Sequence, residues 1–358
     1  MNILAIDPGS TSTKIGVCRD RAVVKACIEH PRQEIESFAS VMDQLSYRMS
    51  RIDDYLCRSG FDRLRFDAVV GRGGLLRPVA GGVYLVNEPL ARDLRRGRSG
   101  EHAANLGGIL ARSVAGRHGV PAYVVDPPVI DELWPVARLS GLAQVERRSM
   151  FHALNQRAAA RRAARELGRE YESLNLIVVH MGGGITAGAH RQGRVVDVNN
   201  GLNGDGPFAP ERTGGLPVAG VLQLLEEGTF SVEELKVVVA RKGGVYSYLG
   251  TVDMREVEGM CAGGDARASL VFDGMVYQVA KEIGALAAAM DGLVDGIVLT
   301  GGLACSDKMV SELRAKVAWI APVSVQPGEY EIEALIEGAL RVLTGQEEAK
   351  VYAEEELC

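Results

Sequence analysis

The chain lacks paired cysteines, a strong charge of either sign, long apolar runs and the two commonest glycine signatures for nucleotides. Its six cysteines are scattered over 358 residues without a CxxC pair. That pattern indicates neither a zinc site nor a disulfide framework, and it suits a reducing compartment, so a cytoplasmic location is expected. The net charge of −6 argues against a protein that coats nucleic acid. Arg92, Arg95, Arg96 and Arg98 form a short basic run without interleaved aromatics and read as a solvated loop. Arg157, Arg161, Arg162 and Arg165 read as the wet face of a helix. Asp291 and Asp295 interrupt the best candidate for a membrane span, and Asp7 ends the N-terminal apolar run too early for a secretion signal. No membrane or nucleic-acid partner is therefore expected. The absence of GxxxxGK[ST] excludes a P-loop NTPase, and no GxGxxG opens a helix, which argues against a Rossmann site.

What is present is a repeated design. Val178-Val179-His180-Met181-Gly182-Gly183-Gly184-Ile185-Thr186 places a β-branched run before a histidine and three glycines. Glycine lets backbone N–H groups approach an anion closely, because no Cβ intervenes. Ile3-Leu4-Ala5-Ile6-Asp7-Pro8-Gly9-Ser10-Thr11-Ser12-Thr13-Lys14 has the same strand-then-turn form half a chain earlier. The two turns could each be no more than a tight hairpin and a polar β-turn. Their symmetric placement favours a nucleotide held between two similar domains.

The rest of the pattern supports two α/β halves. Strands are predicted at 3–6, 14–18, 22–28, 66–70 and 122–125. Between the third and fourth, Ile35, Phe38, Met42, Leu45, Met49, Ile52 and Leu56 predict one long amphipathic helix. A further helix is predicted near 103–117. The second half predicts strands at 176–179, 185–189, 194–198 and 296–300. Its helices are expected near 218–227, from Ser231 with Glu234 in a capping box, and at 266–291, 307–317 and 331–343. Strands alternating with helices give an α/β fold, and the meander opening each half makes both sheets mixed. The expected domains are 1–146 plus 331–358, and 147–330, joined near 140–148. The weak identity between the halves is what an old duplication would leave.

Three stretches carry a family resemblance: residues 7–14, His180-Met181-Gly182-Gly183-Gly184, and residues 197–217 from Asp197-Val198-Asn199-Asn200 to Gly215-Leu216-Pro217. Together they resemble the butyrate kinases, in the acetokinase branch of the superfamily that also holds sugar kinases, heat-shock chaperone ATPases and actin. The likeness extends to Gly301-Gly302 and Pro327-Gly328-Glu329. It implies two ribonuclease H-like domains with mixed five-stranded-type sheets flanking a nucleotide cleft, whose closure would exclude water. It also implies ATP/ADP and Mg²⁺ as cofactors and a short carboxylic acid converted to its acyl phosphate, with a homo-oligomer expected. Position 7 departs from the pattern, being Asp where the branch usually has Asn.

An ionised carboxylate needs no strong base, so positioning and charge neutralisation must do the chemistry. Arg72, flanked by glycines at a strand end, and Arg212, in a Pro/Gly-rich loop, are the candidate forks for carboxylate and phosphoryl oxygens. By resemblance, His180 would bond the migrating phosphoryl group and His152 would be a second histidine near it, though by spacing His152 reads as a helix-face residue. Asp126 ends a strand and could orient Mg²⁺ or the nucleophile. Asp7 and Glu329 are the metal candidates, with Glu331 making that register ambiguous. Gly9, Ser10, Thr11, Ser12, Lys14, Gly182, Gly183 and Gly184 would hold phosphates, and Gly301 and Gly302 would pass under the adenosine. Phe151, Asn199, Asn200 and Phe208 would shape the acyl pocket. His30, His102, His118 and His190 show no metal spacing and read as surface residues. Two alternatives stay open on sequence: a kinase for branched-chain or other short acids, and a nucleotide-gated binding protein on the same fold.

Overall fold

The structure, a computed structural model, describes residues 1–97 and 99–353. Arg98, the last member of the basic run, and residues 354–358 of the C-terminal segment lie outside the described residues. The chain divides into two compact units, Met1–Ile130 with Tyr330–Cys358, and Asp131–Glu329.

The first unit is built on β1 (Asn2–Pro8), β2 (Ser12–Arg19) and β3 (Ala22–Glu29), an antiparallel meander. β4 (Ala68–Arg72) lies parallel to β1, and β6 (Ala122–Val125) lies parallel to β4. β5 (Val83–Leu85) and β12 (Lys350–Val351) complete a sheet of order β12-β5-β6-β4-β1-β2-β3. Ile3, Leu4, Ala5 and Ile6 are all fully buried, because β1 is a central strand covered on both faces. Ala5 is paired with Gly16, against which Ile332 of helix Glu331–Leu343 packs. Ile6 is paired with Gly71, which touches helix Asn105–His118 on the opposite face.

The second unit repeats the plan. β7 (Asn175–Met181), β8 (Ile185–Arg191) and β9 (Arg194–Val198) form the meander, and β10 (Gly296–Gly301) and β11 (Val323–Pro327) extend it in parallel. The order β11-β10-β7-β8-β9 matches β6-β4-β1-β2-β3 of the first unit strand for strand. Alternation along β7 divides its neighbours. Leu176 and Val178 pack with Ala159, Ala160, Ala163 and Ala164 of helix Ala153–Glu166. Ile177, Val179 and Met181 pack into the larger core with Phe272, Met275 and Val276 of helix Ala266–Ala289.

Four expectations are corrected. The long helix predicted across Ile35–Leu56 is broken: helices run over Arg32–Glu36 and Leu45–Arg58 with a turn between. The break follows from Ser40, whose backbone N–H and hydroxyl both bond the Asp43 carboxylate at 2.9 and 2.8 Å. Such local side-chain bonds compete with the helix while the apolar stripe continues undisturbed. Arg92, Arg95 and Arg96 lie on helix Glu88–Arg96, not in a loop. Arg157 is buried: its guanidinium bonds Gly193 O at 2.9 Å, pairs with Glu132 at 3.6 Å and lies over the Tyr171 ring. His30 and His190 are buried as well, each hydrogen-bonded to a hydroxyl. Among the described residues, no helix is long and apolar enough to cross a membrane.

Gly71 and Gly107 bring β4 and helix Asn105–His118 together, since a Cβ on Gly107 would strike the Arg72 backbone. Gly107→Ala should therefore cost about 2 kcal/mol, by forcing backbone apart in a packed core. Gly116, in the same helix, has open space around its Cβ position. Gly116→Ala should stabilise by about 0.5–1 kcal/mol. Thermal unfolding of both variants checks the pair; equal effects would show that the close approach is not limiting.

Candidate active site

The apolar core aims the histidine of the second turn. His180 follows Leu176 and Val178 by strand parity, so it faces helix Ala153–Glu166 and not the larger core. His152 is the residue that caps the start of that helix, not a member of its face. The two rings stack with centroids 4.2 Å apart and planes 25° from parallel. Three glycines then turn the chain from β7 into β8, with Gly182 N–H bonded to Gly184 O at 3.0 Å. A Cβ on Gly182 would lie 3.5 Å from His180 Nε2, so the imidazole edge is at the turn.

Arg212 reaches the same turn. Its guanidinium fills the volume that a Cβ on Gly184 would need, and Nη1 donates to Gly201 O at 2.6 Å. Glu211 is 3.9 Å away, a loose partner. Burial, the largest influence, lowers the Arg212 pKa, and Glu211 opposes that shift. Its Nε is buried without a hydrogen-bond acceptor among the described residues. A half-satisfied planar fork beside a glycine turn and two imidazoles is suited to an incoming anion.

The loop that follows β9 is held by its asparagines. Asn199 ties it to β8 through Ala187 N–H at 2.7 Å and Ile185 O at 3.1 Å. Asn200 caps Leu202 and Asn203 and donates to Arg148 O at 3.0 Å. Both amides therefore serve the loop backbone. Phe151 is buried, while Phe208 is half-buried near Tyr248, with ring centroids 6.4 Å apart. Gly301 has φ of 93° and packs against Met181 backbone, whereas the Cβ position of Gly302 is open.

The first unit carries a four-charge cluster. Asp7 and Lys14 are paired across β1 and β2, and Arg72 ends the adjacent β4. Arg72 Nη1 lies 3.2 Å from Asp7 and 3.9 Å from Glu331, and Lys14 Nζ lies 3.4 Å from Glu331. Burial holds the Asp7 carboxyl above its usual range; Arg72 opposes this and Glu331 adds to it. The ion pairs are made by Glu331, at the start of helix Glu331–Leu343, while Glu329 is exposed at the end of the other unit. Asp126 has a strained φ of 39°, and its carboxylate accepts from Gly82 N–H at 2.8 Å. Among the described residues, no group of three or more His, Cys, Asp or Glu side chains could hold a metal.

Gly9, Ser10, Thr11 and Ser12 form the turn between β1 and β2, closed by Gly9 N–H to Ser12 O at 2.8 Å. Beneath it lies Arg48, fully buried among neutral oxygens: Ser10 O, Ser12 O, Thr13 Oγ1 and Gln44 Oε1, at 2.9–3.1 Å. Burial lowers its pKa to about 10, which leaves it charged at neutral pH. Thr13 Oγ1 also meets His30 Nε2 at 2.8 Å. Sequence reasoning missed Arg48, although its place four residues before Ile52 on the inward stripe was the available signal. Gln156 and Thr186 were missed also, and nothing in local spacing distinguishes them.

The two mixed sheets share one strand order and a glycine-bearing turn after the central strand, the arrangement of the actin-like ATPase fold, and the second unit adds Arg212 and a stacked pair of imidazoles, groups suited to phosphoryl oxygens. The structure of an acetate kinase from Porphyromonas gingivalis is similar, with a TM-score of 0.77 at 20% identity over 96% of this chain and 99% of that one. A propionate kinase from Francisella tularensis subsp. tularensis SCHU S4 gives 0.73 at 17% identity over 94% and 98%. A ROK family protein from Streptococcus pneumoniae TIGR4 gives 0.51 at 14% identity over 97% and 99%. The model of the acetokinase family matches residues 137–329. The chain belongs to the acetokinase family and is a carboxylate kinase of it.

His30 is pushed down to about 4, chiefly by burial and then by Arg48 and Arg51. An unfolded histidine titrates near 6.5. Between those values the unfolded chain holds a proton that the folded unit does not, so the His30 contribution is full above pH 6.5 and is lost as pH falls toward 4. The melting temperature should fall more steeply between pH 7 and 4.5 in the wild type than in His30→Gln.

Proposed function

We propose that the chain is a butyrate kinase, which transfers the γ-phosphoryl group of ATP to butanoate and gives butanoyl phosphate and ADP, reversibly. The observation that supports this reading most directly is the Arg212 guanidinium lodged over the Gly182–Gly184 turn, beside the stacked His152 and His180. A carboxylate oxygen attacks the γ-phosphorus in line as the bridging P–O bond to ADP breaks. The acceptor is already ionised, so no base is needed.

The side chains then have separate tasks. Arg72 binds the substrate carboxylate, exchanging part of its contact with Asp7 for a two-pronged grip. Arg212 neutralises charge on the equatorial phosphoryl oxygens, and His180 and His152 donate hydrogen bonds to them. Ser10, Thr11, Ser12, Lys14 and the residue 182–184 glycines receive phosphate oxygens, and Gly301 and Gly302 pass beside the adenosine. Asp126 orients the first unit's strand end through Gly82. Mg²⁺ takes one or two carboxylates and otherwise water and phosphate, and it would neutralise the polyphosphate. Asp7 and Glu331 fit that need, being buried carboxylates close enough to raise the Asp7 pKa. Phe151 and Phe208 border the acyl chain, and Asn199 and Asn200 hold the loop that shapes its pocket. The likeness of this loop to butyrate kinases is what favours a four-carbon acid over acetate.

A hydroxamate assay for acyl phosphate with acetate, propionate, butanoate, isobutanoate and valerate tests the substrate. Each buried methylene is worth about 1 kcal/mol, so butanoate should exceed acetate by about tenfold or more in kcat/KM. Acetate as the best substrate would overturn the assignment to butyrate. Arg212→Ala should lower kcat by roughly 10²–10³-fold, and Arg212→Lys should recover little, since an ammonium lacks the planar fork. Near-normal kcat in Arg212→Ala would remove this loop from the active site.

A further inference from the structure

We infer that Tyr171, His190, Gln156 and Thr186 form a directional hydrogen-bond relay that holds His152 as its Nε2–H tautomer. The inference rests on the proposed phosphoryl transfer for its consequence, but the tautomer follows from geometry in the second unit alone.

The direction of the relay is set at one point. Gln156 Nε2 lies 2.8 Å from the backbone oxygen of Thr186. A carbonyl only accepts, so this end of the side chain is the NH₂ group. The other end, Oε1, is therefore an acceptor, and it lies 3.0 Å from His190 Nε2. His190 must carry its proton on Nε2. Its Nδ1 then accepts from the Tyr171 hydroxyl at 2.8 Å.

The same amide directs the other side. Gln156 Nε2 also donates to Thr186 Oγ1 at 2.9 Å, and the backbone N–H of His152 approaches that oxygen at 3.5 Å. Both neighbours are donors, so neither can receive the single hydroxyl hydrogen of Thr186. His152 Nδ1, 2.9 Å away, can. A hydrogen bond received at Nδ1 leaves the ring proton on Nε2. A neutral His152 brings no charge of its own to the 4.2 Å stack with His180.

The packing is arranged around this relay. Thr186, Gly188 and His190 lie on one face of β8, opposite His180, Val178 and Leu176 of β7. That face meets helix Ala153–Glu166, from which Gln156 projects. Gly188 leaves the room: a Cβ there would come within 2.6 Å of Gln156 Oε1. Gln156, His190 and Thr186 are all fully buried. These are positioning residues, since they act on the phosphoryl group only through His152.

The direct test is ¹⁵N NMR of histidine-labelled resting protein, with His152 assigned by difference from His152→Gln. The expected spectrum has His152 Nε2 protonated and Nδ1 bare. Thr186→Val removes the donor and should lower kcat about tenfold or more while KM for ATP and for the acid stays within about twofold. Thr186→Ser keeps the hydroxyl and should restore kcat. A proton on His152 Nδ1 in the wild type overturns the relay, as does a Thr186→Val enzyme with unchanged kcat. The tautomer is measured without substrate, so its outcome is separate from that of the acyl phosphate assay. The wild-type spectrum also decides the matter should a variant fail to fold.

Discussion

Alternation of side chains across β7 is the constraint on which the second unit's chemistry depends. Leu176 and Val178 are held against an alanine-rich helix, and Ile177, Val179 and Met181 against the larger core. Burying each of these side chains contributes about 1.5–3 kcal/mol, so together they outweigh the few polar contacts at the strand tip. A slip of one residue would exchange the two faces and drive His180 into a core built around Phe272. The apolar residues thus determine where the imidazole points. The pairing of His180 with Thr186 then carries the same face onto β8, where the polar residues behind His152 are found.

The two units use one strand order but support their turns differently. In the first, Arg48 collects the carbonyl oxygens of Ser10 and Ser12 from below. Carbonyl lone pairs repel an anion, so turning them inward leaves a surface richer in donors. Retaining a buried cation among neutral acceptors costs desolvation energy, as the lowered pKa of Arg48 records, yet its charge persists at neutral pH. In the second unit the cation lies over the turn, and glycine at position 184 makes that approach sterically possible. The two units share backbone topology, while the placement of charge differs between them.

Much of this architecture was legible in the chain. Helices Asp307–Val317 and Glu331–Leu343, strand Arg194–Val198 and the Ser231–Glu234 capping box follow directly from spacing. The break after Glu36 was hidden, because a hydrophobic stripe reports which face is buried and not whether the backbone is continuous. His30, His190 and Arg157 were read as exposed because polarity is a statistical guide to burial. Each is buried with a hydrogen-bonding partner distant in sequence, which no local window contains.

The sequence by itself determined the α/β class, the repeat, the two glycine turns and the residue types for handling phosphate and carboxylate. These depend on short-range periodicity, turn chemistry and functional groups. Only tertiary structure decided that Glu331 is the acid paired with Arg72 and Lys14, that Arg48 underlies the first turn, and that Gln156 directs a relay toward His152. Those arrangements join residues tens to hundreds of positions apart. Their geometry is set by which sheet faces the apolar residues bury, and that is a property of the folded whole.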